Sequence, residues 1–104
     1  MGDYKVHLTE PAENDLRDIA RYISTQLNAP TTALAMTLTI KEAISKLETA
    51  ALARPLVRDD RLASLGYRPL LIKNYIAFYI VNEKEKSVCI DRILHSRRNW
   101  QSIL

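Results

Sequence analysis

The chain opens on a strict alternation. In Tyr4-Lys5-Val6-His7-Leu8-Thr9 the apolar Tyr4, Val6 and Leu8 share one face, while Lys5 and His7 share the other. That period of two predicts a short strand with one face inward and a solvated His7. The period then changes. Ala12, Leu16, Ile19, Ile23 and Leu27 recur at helical spacing, which predicts an amphipathic helix of about four to five turns. Thr9 is its expected N-cap, Pro11 suits the first turn, and Glu10, Glu13 and Asp15 complement the positive end of the helix dipole. Asn28-Ala29-Pro30 ends this helix, because the residue before a proline resists the α region. A second helix is expected from about Pro30, with Leu34, Ile40, Ala43, Ile44, Leu47 and Ala51 as apolar positions. So short a connection makes the two helices antiparallel neighbours, an αα-hairpin.

Residues 53–66 are expected to form a plain crossover loop, punctuated by Pro55 and Gly66, with Arg58-Asp59-Asp60-Arg61 as a self-paired charge cluster. Three apolar, β-rich runs come next, at 67–72, 75–81 and 88–95. Lys73-Asn74 makes a tight turn between the first two, and the polar residues 82–86 make a longer one. The middle run is apolar on both faces and therefore central. After His95 the chain turns into a short terminal helix in which Trp100 and Ile103 pack together. The order β-α-α-β-β-β predicts an α+β fold with an N-terminal strand, an αα-hairpin, a three-stranded antiparallel meander and a short C-terminal helix. The helical hairpin covers one face of the sheet. The whole chain, 1–104, is expected to be one domain.

Composition narrows the class. With 47% hydrophobic and 26% charged residues the chain is globular, not a disordered tail. Its longest apolar runs, about five to seven residues, are far short of the ~20 that span a bilayer. Charges at Asp3, Lys5 and Glu10 interrupt any leader pattern, so a soluble cytoplasmic protein with no membrane partner is expected. The single Cys89 lies in an apolar run and reads as a core residue. Neither a metal site nor a cofactor is expected. Charge divides unevenly: residues 1–53 carry five basic and seven acidic groups, and 54–104 carry ten basic and five acidic. The strand-bearing half is the basic half, which points to an anionic partner, either nucleic acid or an acidic protein segment.

The candidate chemistry gathers at the end of the last strand, in His95-Ser96-Arg97-Arg98. A strand that ends in titratable and cationic groups holds them in fixed geometry at a sheet rim. Asp91 precedes His95 by four residues, which puts it on the same side at ~13 Å, too far for a direct pair. Two plainer roles stand beside these: His95 bonding a backbone group at the sheet edge, and Arg92 pairing with Asp91 or another acid.

Asp91-Arg92-Ile93-Leu94-His95-Ser96-Arg97-Arg98 resembles the Arg-hydrophobic-hydrophobic-His-x-x-Arg signature of the RelE/ParE toxin superfamily. The helix segment Asp15-Leu16-Arg17-Asp18-Ile19-Ala20-Arg21-Tyr22-Ile23, Tyr67-Arg68, and Asn74-Tyr75-Ile76-Ala77-Phe78-Tyr79 extend the resemblance over nearly the whole chain in the same element order. The resemblance implies the toxin of a bacterial type II toxin–antitoxin pair, neutralised by a cognate antitoxin. RelE-like members cut mRNA in the ribosomal A site. ParE-like members inhibit DNA gyrase and are not known as nucleases.

For a nuclease, His95 is the natural acid or base, with Arg68 and Arg97 on the phosphate. For target or RNA contact the resemblance implies Arg68, Tyr75, Arg92, Arg97, Arg98 and Trp100. RelE-like nucleases usually place an arginine after the central-strand tyrosine, where this chain has Ile76, and the first meander strand here is apolar at Pro69-Leu70-Leu71-Ile72. The departures favour a ParE-like inhibitor of gyrase over the ribosome-dependent mRNA endonuclease. A small basic nucleic-acid-binding module is the further alternative. The antitoxin is expected to enter the groove beside the helical hairpin or to add a strand at a free edge.

Overall fold

The computed structural model describes residues 3–104. β1 (Lys5–Leu8) alternates as the pattern requires, with Val6 and Leu8 half-buried and Lys5 and His7 exposed. α1 (Glu10–Arg21) starts where Thr9 Oγ1 accepts the Ala12 N–H at 3.1 Å, with Pro11 in the first turn. Ala12 and Leu16 are buried on its inner face.

The end of this helix departs from expectation. Tyr22–Gln26 is a π-helical turn, and its extra residue per turn rotates Leu27 off the apolar stripe, leaving it 56% exposed. Asn28 then takes a left-handed conformation (φ 52°), and α2 (Pro30–Ser45) begins at the proline. Its inner face is carried by Ala33, Ile40 and Ile44. Leu34, expected inside, is 62% exposed because the stripe through Ile40 meets the first turn at Ala33. A short α3 (Leu47–Ala50) ends the hairpin, with Leu47 and Ala51 buried.

The segment 53–66 is not a plain loop. It holds a helical turn, α4 (Asp60–Ser64), started by Asp59, whose Oδ1 accepts the Leu62 N–H at 3.0 Å. The Arg58–Arg61 charges do not self-pair: among the described residues no ion pair joins them. Asp59 is committed to the cap instead.

β2 (Tyr67–Ile72), β3 (Tyr75–Asn82) and β4 (Ser87–His95) form the antiparallel meander. β1 joins the same sheet in parallel beside β4, from Lys5 opposite Ser87 to Leu8 opposite Ile90, giving the order β1-β4-β3-β2. Both sheet faces are covered. The helical hairpin lies over Ala77, Tyr79, Val88, Ile90 and Ile93. On the other side Val57 and Leu62, with α5 (Trp100–Ile103), cover Tyr67, Ile76, Phe78 and Leu94. The Trp100 ring sits 5.1 Å from that of Phe78.

The ladder between β3 and β4 carries one irregularity. Phe78 pairs with Arg92 and Tyr79 with Ile90, so Asp91 is an extra residue, a β-bulge. It lets Ile90 and Ile93, three apart, face the same core. It also overturns the expectation that Asp91 and His95 share a side. Asp91 Oδ2 accepts the Tyr67 hydroxyl at 2.6 Å, and Tyr67 belongs to the core on the face away from the helical hairpin.

Candidate functional site

β1 stops at Leu8, and beyond Ile90 the outer edge of β4 has no strand partner. α1 takes over there. The Thr9 N–H bonds Ile90 O at 3.0 Å, the Thr9 hydroxyl bonds Asp91 O at 2.8 Å, and Asp15 Oδ2 accepts the Ile93 N–H at 2.9 Å. The same carboxylate holds Arg92 by two prongs, Nε to Oδ2 at 2.7 Å and Nη2 to Oδ1 at 2.8 Å. That hydrogen bonding pushes the guanidinium further above its already high range. Arg92 therefore fastens α1 to β4.

The strand ends three residues later at His95, opposite Tyr75. The two rings meet edge to face, centroids 5.4 Å apart and planes at 80°. His95 Nδ1 accepts the Arg97 N–H at 3.1 Å, and the Arg98 N–H bonds His95 O at 2.9 Å. The imidazole thus caps the turn that carries both arginines. With Nδ1 accepting, the neutral ring carries its proton on Nε2 and offers that nitrogen as a donor.

Tyr75, His95 and Arg98 line one wall of a cleft of about 540 Å3, whose other wall is Asp15, Asp18, Ile19 and Tyr22 of α1 and its π-helical turn. Burial first, and then the neighbouring Tyr22 phenol, push the Tyr75 hydroxyl up.

Residues 6–100 match the family model described as the ParE toxin of the type II toxin–antitoxin system parDE. The chain belongs to the ParE toxin family. Its fold is shared with a chain of the chromosomal ParDE toxin–antitoxin system from P. aeruginosa, at 24% identity and a TM-score of 0.73, over 91% of this chain and 98% of that one. A chain of the RelBE2 toxin–antitoxin complex from Mycobacterium tuberculosis matches at 20% identity and a TM-score of 0.62, over 89% and 98%. No curated protein matches the sequence.

In this ParE-family toxin the proposed nuclease residues do not converge. Arg68 lies opposite Tyr79, whereas Tyr75, the partner of His95, lies opposite Ile72, four residues further along β2. The offset is ~13 Å along the strand alone. One Arg68 Nη donates to Arg54 O, fixing the side chain at the far end of the sheet. Arg97 meets His95 through its backbone, its side chain is exposed, and it does not line the cleft. Trp100 packs behind the sheet on Phe78, and Ile76 is buried in that same core.

Of the contact set read from sequence, Tyr75 and Arg98 reach the cleft together with His95. Asp15, Asp18, Ile19 and Tyr22 were missed. The signal was present as the spacing i, i+3, i+4 and i+7, one face of α1 beside its apolar stripe.

Tyr67 is drawn up to about 12 by burial and by its bond to Asp91. Cys89 is half-buried, not fully buried as expected, and burial pushes its thiol up. No helix among the described residues is long and apolar enough to cross a membrane.

A second depression, about 550 Å3, lies along the free edge of β1. Val6, Leu8, Leu16 and Ile44 form its floor, and Glu13, Arg17, Lys41 and Glu48 its rim. The Lys5 and Thr9 N–H groups point inward to Lys86 O and Ile90 O. By the alternation of a parallel pair, Val6 and Leu8 present their backbone groups outward into this groove.

Proposed function

We propose that the toxin is a ParE-like binding inhibitor of a gyrase-type topoisomerase, acting in the cytoplasm and held inactive by a cognate antitoxin. The observation that carries this reading is the separation of His95 from Arg68. Cleaving RNA requires several cations around a phosphate that gains charge in the transition state. The His95 cleft offers one cation, Arg98, with Asp18 on the facing wall and the Asp15 carboxylate already paired with Arg92. A single arginine beside an acid is a poor match for a phosphate that gains charge and suits a protein surface. The antitoxin is assigned to the β1 groove, where an apolar floor, a charged rim and outward backbone groups fit an amphipathic segment that adds a strand.

Inducing the toxin alone in a bacterial host, with DNA supercoiling and mRNA integrity followed together, tests the proposal. Relaxed plasmid with intact mRNA is the expected result. Cleaved mRNA with normal supercoiling would establish the RelE-like endonuclease instead, with His95, Tyr75 and Arg98 as its site. Harmless expression would remove both toxin readings and leave a basic nucleic-acid-binding module.

A further inference from the structure

The rim around the start of β2 has no part in the cleft or the groove. The Val57 N–H bonds Tyr67 O at 2.9 Å, laying the preceding segment alongside β2. Arg68 reaches across to Arg54 O, and Arg61 Nη2 donates to Gln101 O at 2.8 Å. Arg54, Arg58, Arg61 and Arg68 are thereby gathered around the first residues of one edge strand, and none forms an ion pair with a carboxylate among the described residues. Asp59, the nearest acid in sequence to Arg58, is taken by the α4 cap.

Beside these cations along the chain three leucines face solvent: Leu52 at 44%, just before Arg54, Leu56 at 43%, between Arg54 and Arg58, and Leu65 at 55%, between Arg61 and Arg68. Unpaired guanidiniums alone would suit any polyanion. Guanidiniums interleaved with exposed leucines suit a partner that brings both carboxylates and apolar side chains, because a phosphate backbone gives the leucines nothing to bury against.

We infer that this arginine–leucine rim is a protein-docking surface for an acidic, amphipathic segment of the target topoisomerase. The inference rests on the gyrase reading above and adds to it where the target is met. β1 and β2 are the two opposite edges of the sheet, so a segment in the β1 groove leaves this rim free. Arginine suits the role twice over: its planar fork binds carboxylates bidentately, and its stem packs on apolar neighbours. Two of the four are already braced by backbone carbonyls, which lowers the ordering cost on binding.

The test is binding of purified DNA gyrase to the full-length toxin, compared with an Arg54→Glu/Arg58→Glu variant and with Leu56→Ser. These side chains are exposed, and unchanged circular dichroism checks that the variants fold. The double reversal should weaken gyrase binding by about ten-fold or more and reduce its sensitivity to salt, and Leu56→Ser should weaken it with little change in salt sensitivity. Wild-type toxin that fails to bind gyrase overturns the target reading and this inference together. Wild-type binding that both variants retain in full overturns this inference alone. Binding of a short labelled duplex DNA by the toxin, lost in the double reversal while gyrase binding persists, would make the rim a nucleic-acid surface and likewise overturn it.

Discussion

Asp15 and Arg92, 77 residues apart, are joined by two parallel hydrogen bonds, and the same carboxylate also accepts the Ile93 N–H. One side chain on α1 therefore substitutes for the strand that β4 lacks beyond Ile90. Replacing Asp15 with alanine removes three acceptor contacts and strands a part-buried guanidinium, at a cost of about 2–4 kcal/mol. Asp15→Asn should cost less, since an amide oxygen still serves the Ile93 N–H. Urea unfolding of the two variants measures the difference.

His95 caps a turn through Nδ1, and this separates positioning from proton transfer. The Oδ1 of asparagine can occupy the place of Nδ1, so His95→Asn should keep the Arg97 bond and most of the inhibition, while His95→Ala loses the turn. A general acid or base would lose about 100-fold or more in either variant. Gyrase supercoiling titrated with each purified variant distinguishes the two roles.

Tyr67 gives the fold an alkaline limit. Its folded value of about 12 lies above the ordinary 10, so the native state holds the phenolic proton more tightly than the unfolded chain. The associated stability is complete below pH 10 and is lost as pH rises from there through about 12. Its size is about 1–3 kcal/mol. Tyr67→Phe should flatten part of that decline in thermal melts across this window, the remainder belonging to Tyr75 and Tyr79, whose hydroxyls burial also raises.

Proline at position 6 tests the β1 groove. The Val6 N–H faces away from β4, so Val6→Pro removes an outward donor and leaves the pairing of Lys5 and Thr9 intact. The toxin should still fold, with its complex with the antitoxin weakened by about ten-fold. Co-purification and calorimetry with the antitoxin report the loss; an unchanged complex would rule out strand addition at this edge.

Trp100 is the one tryptophan and sits against Phe78, so its fluorescence tracks the docking of α5. Trp100→Phe should cost about 1 kcal/mol and Trp100→Ala about 2–3 kcal/mol, since the half-buried ring shares the cover of that face with Val57 and Leu62. Thermal denaturation by circular dichroism is the measurement.

The elements that local rules govern were legible in the sequence. Thr9 capped its helix, Pro30 restarted the second, and Lys73-Asn74 turned the hairpin because each acts through its own neighbours. The features that were not legible depended on distant partners or on a one-residue count. Nothing in Lys5–Leu8 specifies a parallel seat beside β4, and nothing near Arg92 names Asp15. The α1 stripe continued on paper to Leu27, but the π-helical turn shifted its phase. Asp59-Asp60 was legible as charge and missed as a helix start. The candidate site was half legible: the strand end with His95 and Arg98 came from the pattern and Tyr75 from the family resemblance, while the wall supplied by Asp18 and Tyr22 needed the fold.

The bulge at Asp91 ties the strand end to the rest of the chain as a single heritable unit. Pairing that one residue into a regular ladder, with no bulge, would turn His95 toward Phe78 and bring the Leu94 side chain to the cleft face. A chimera that borrows the strand end of another relative must therefore carry the bulge, the Tyr67 that holds it and the Asp15 that spans the gap beside it. Transplanting the signature residues alone would deliver the right side chains to the wrong face of the sheet.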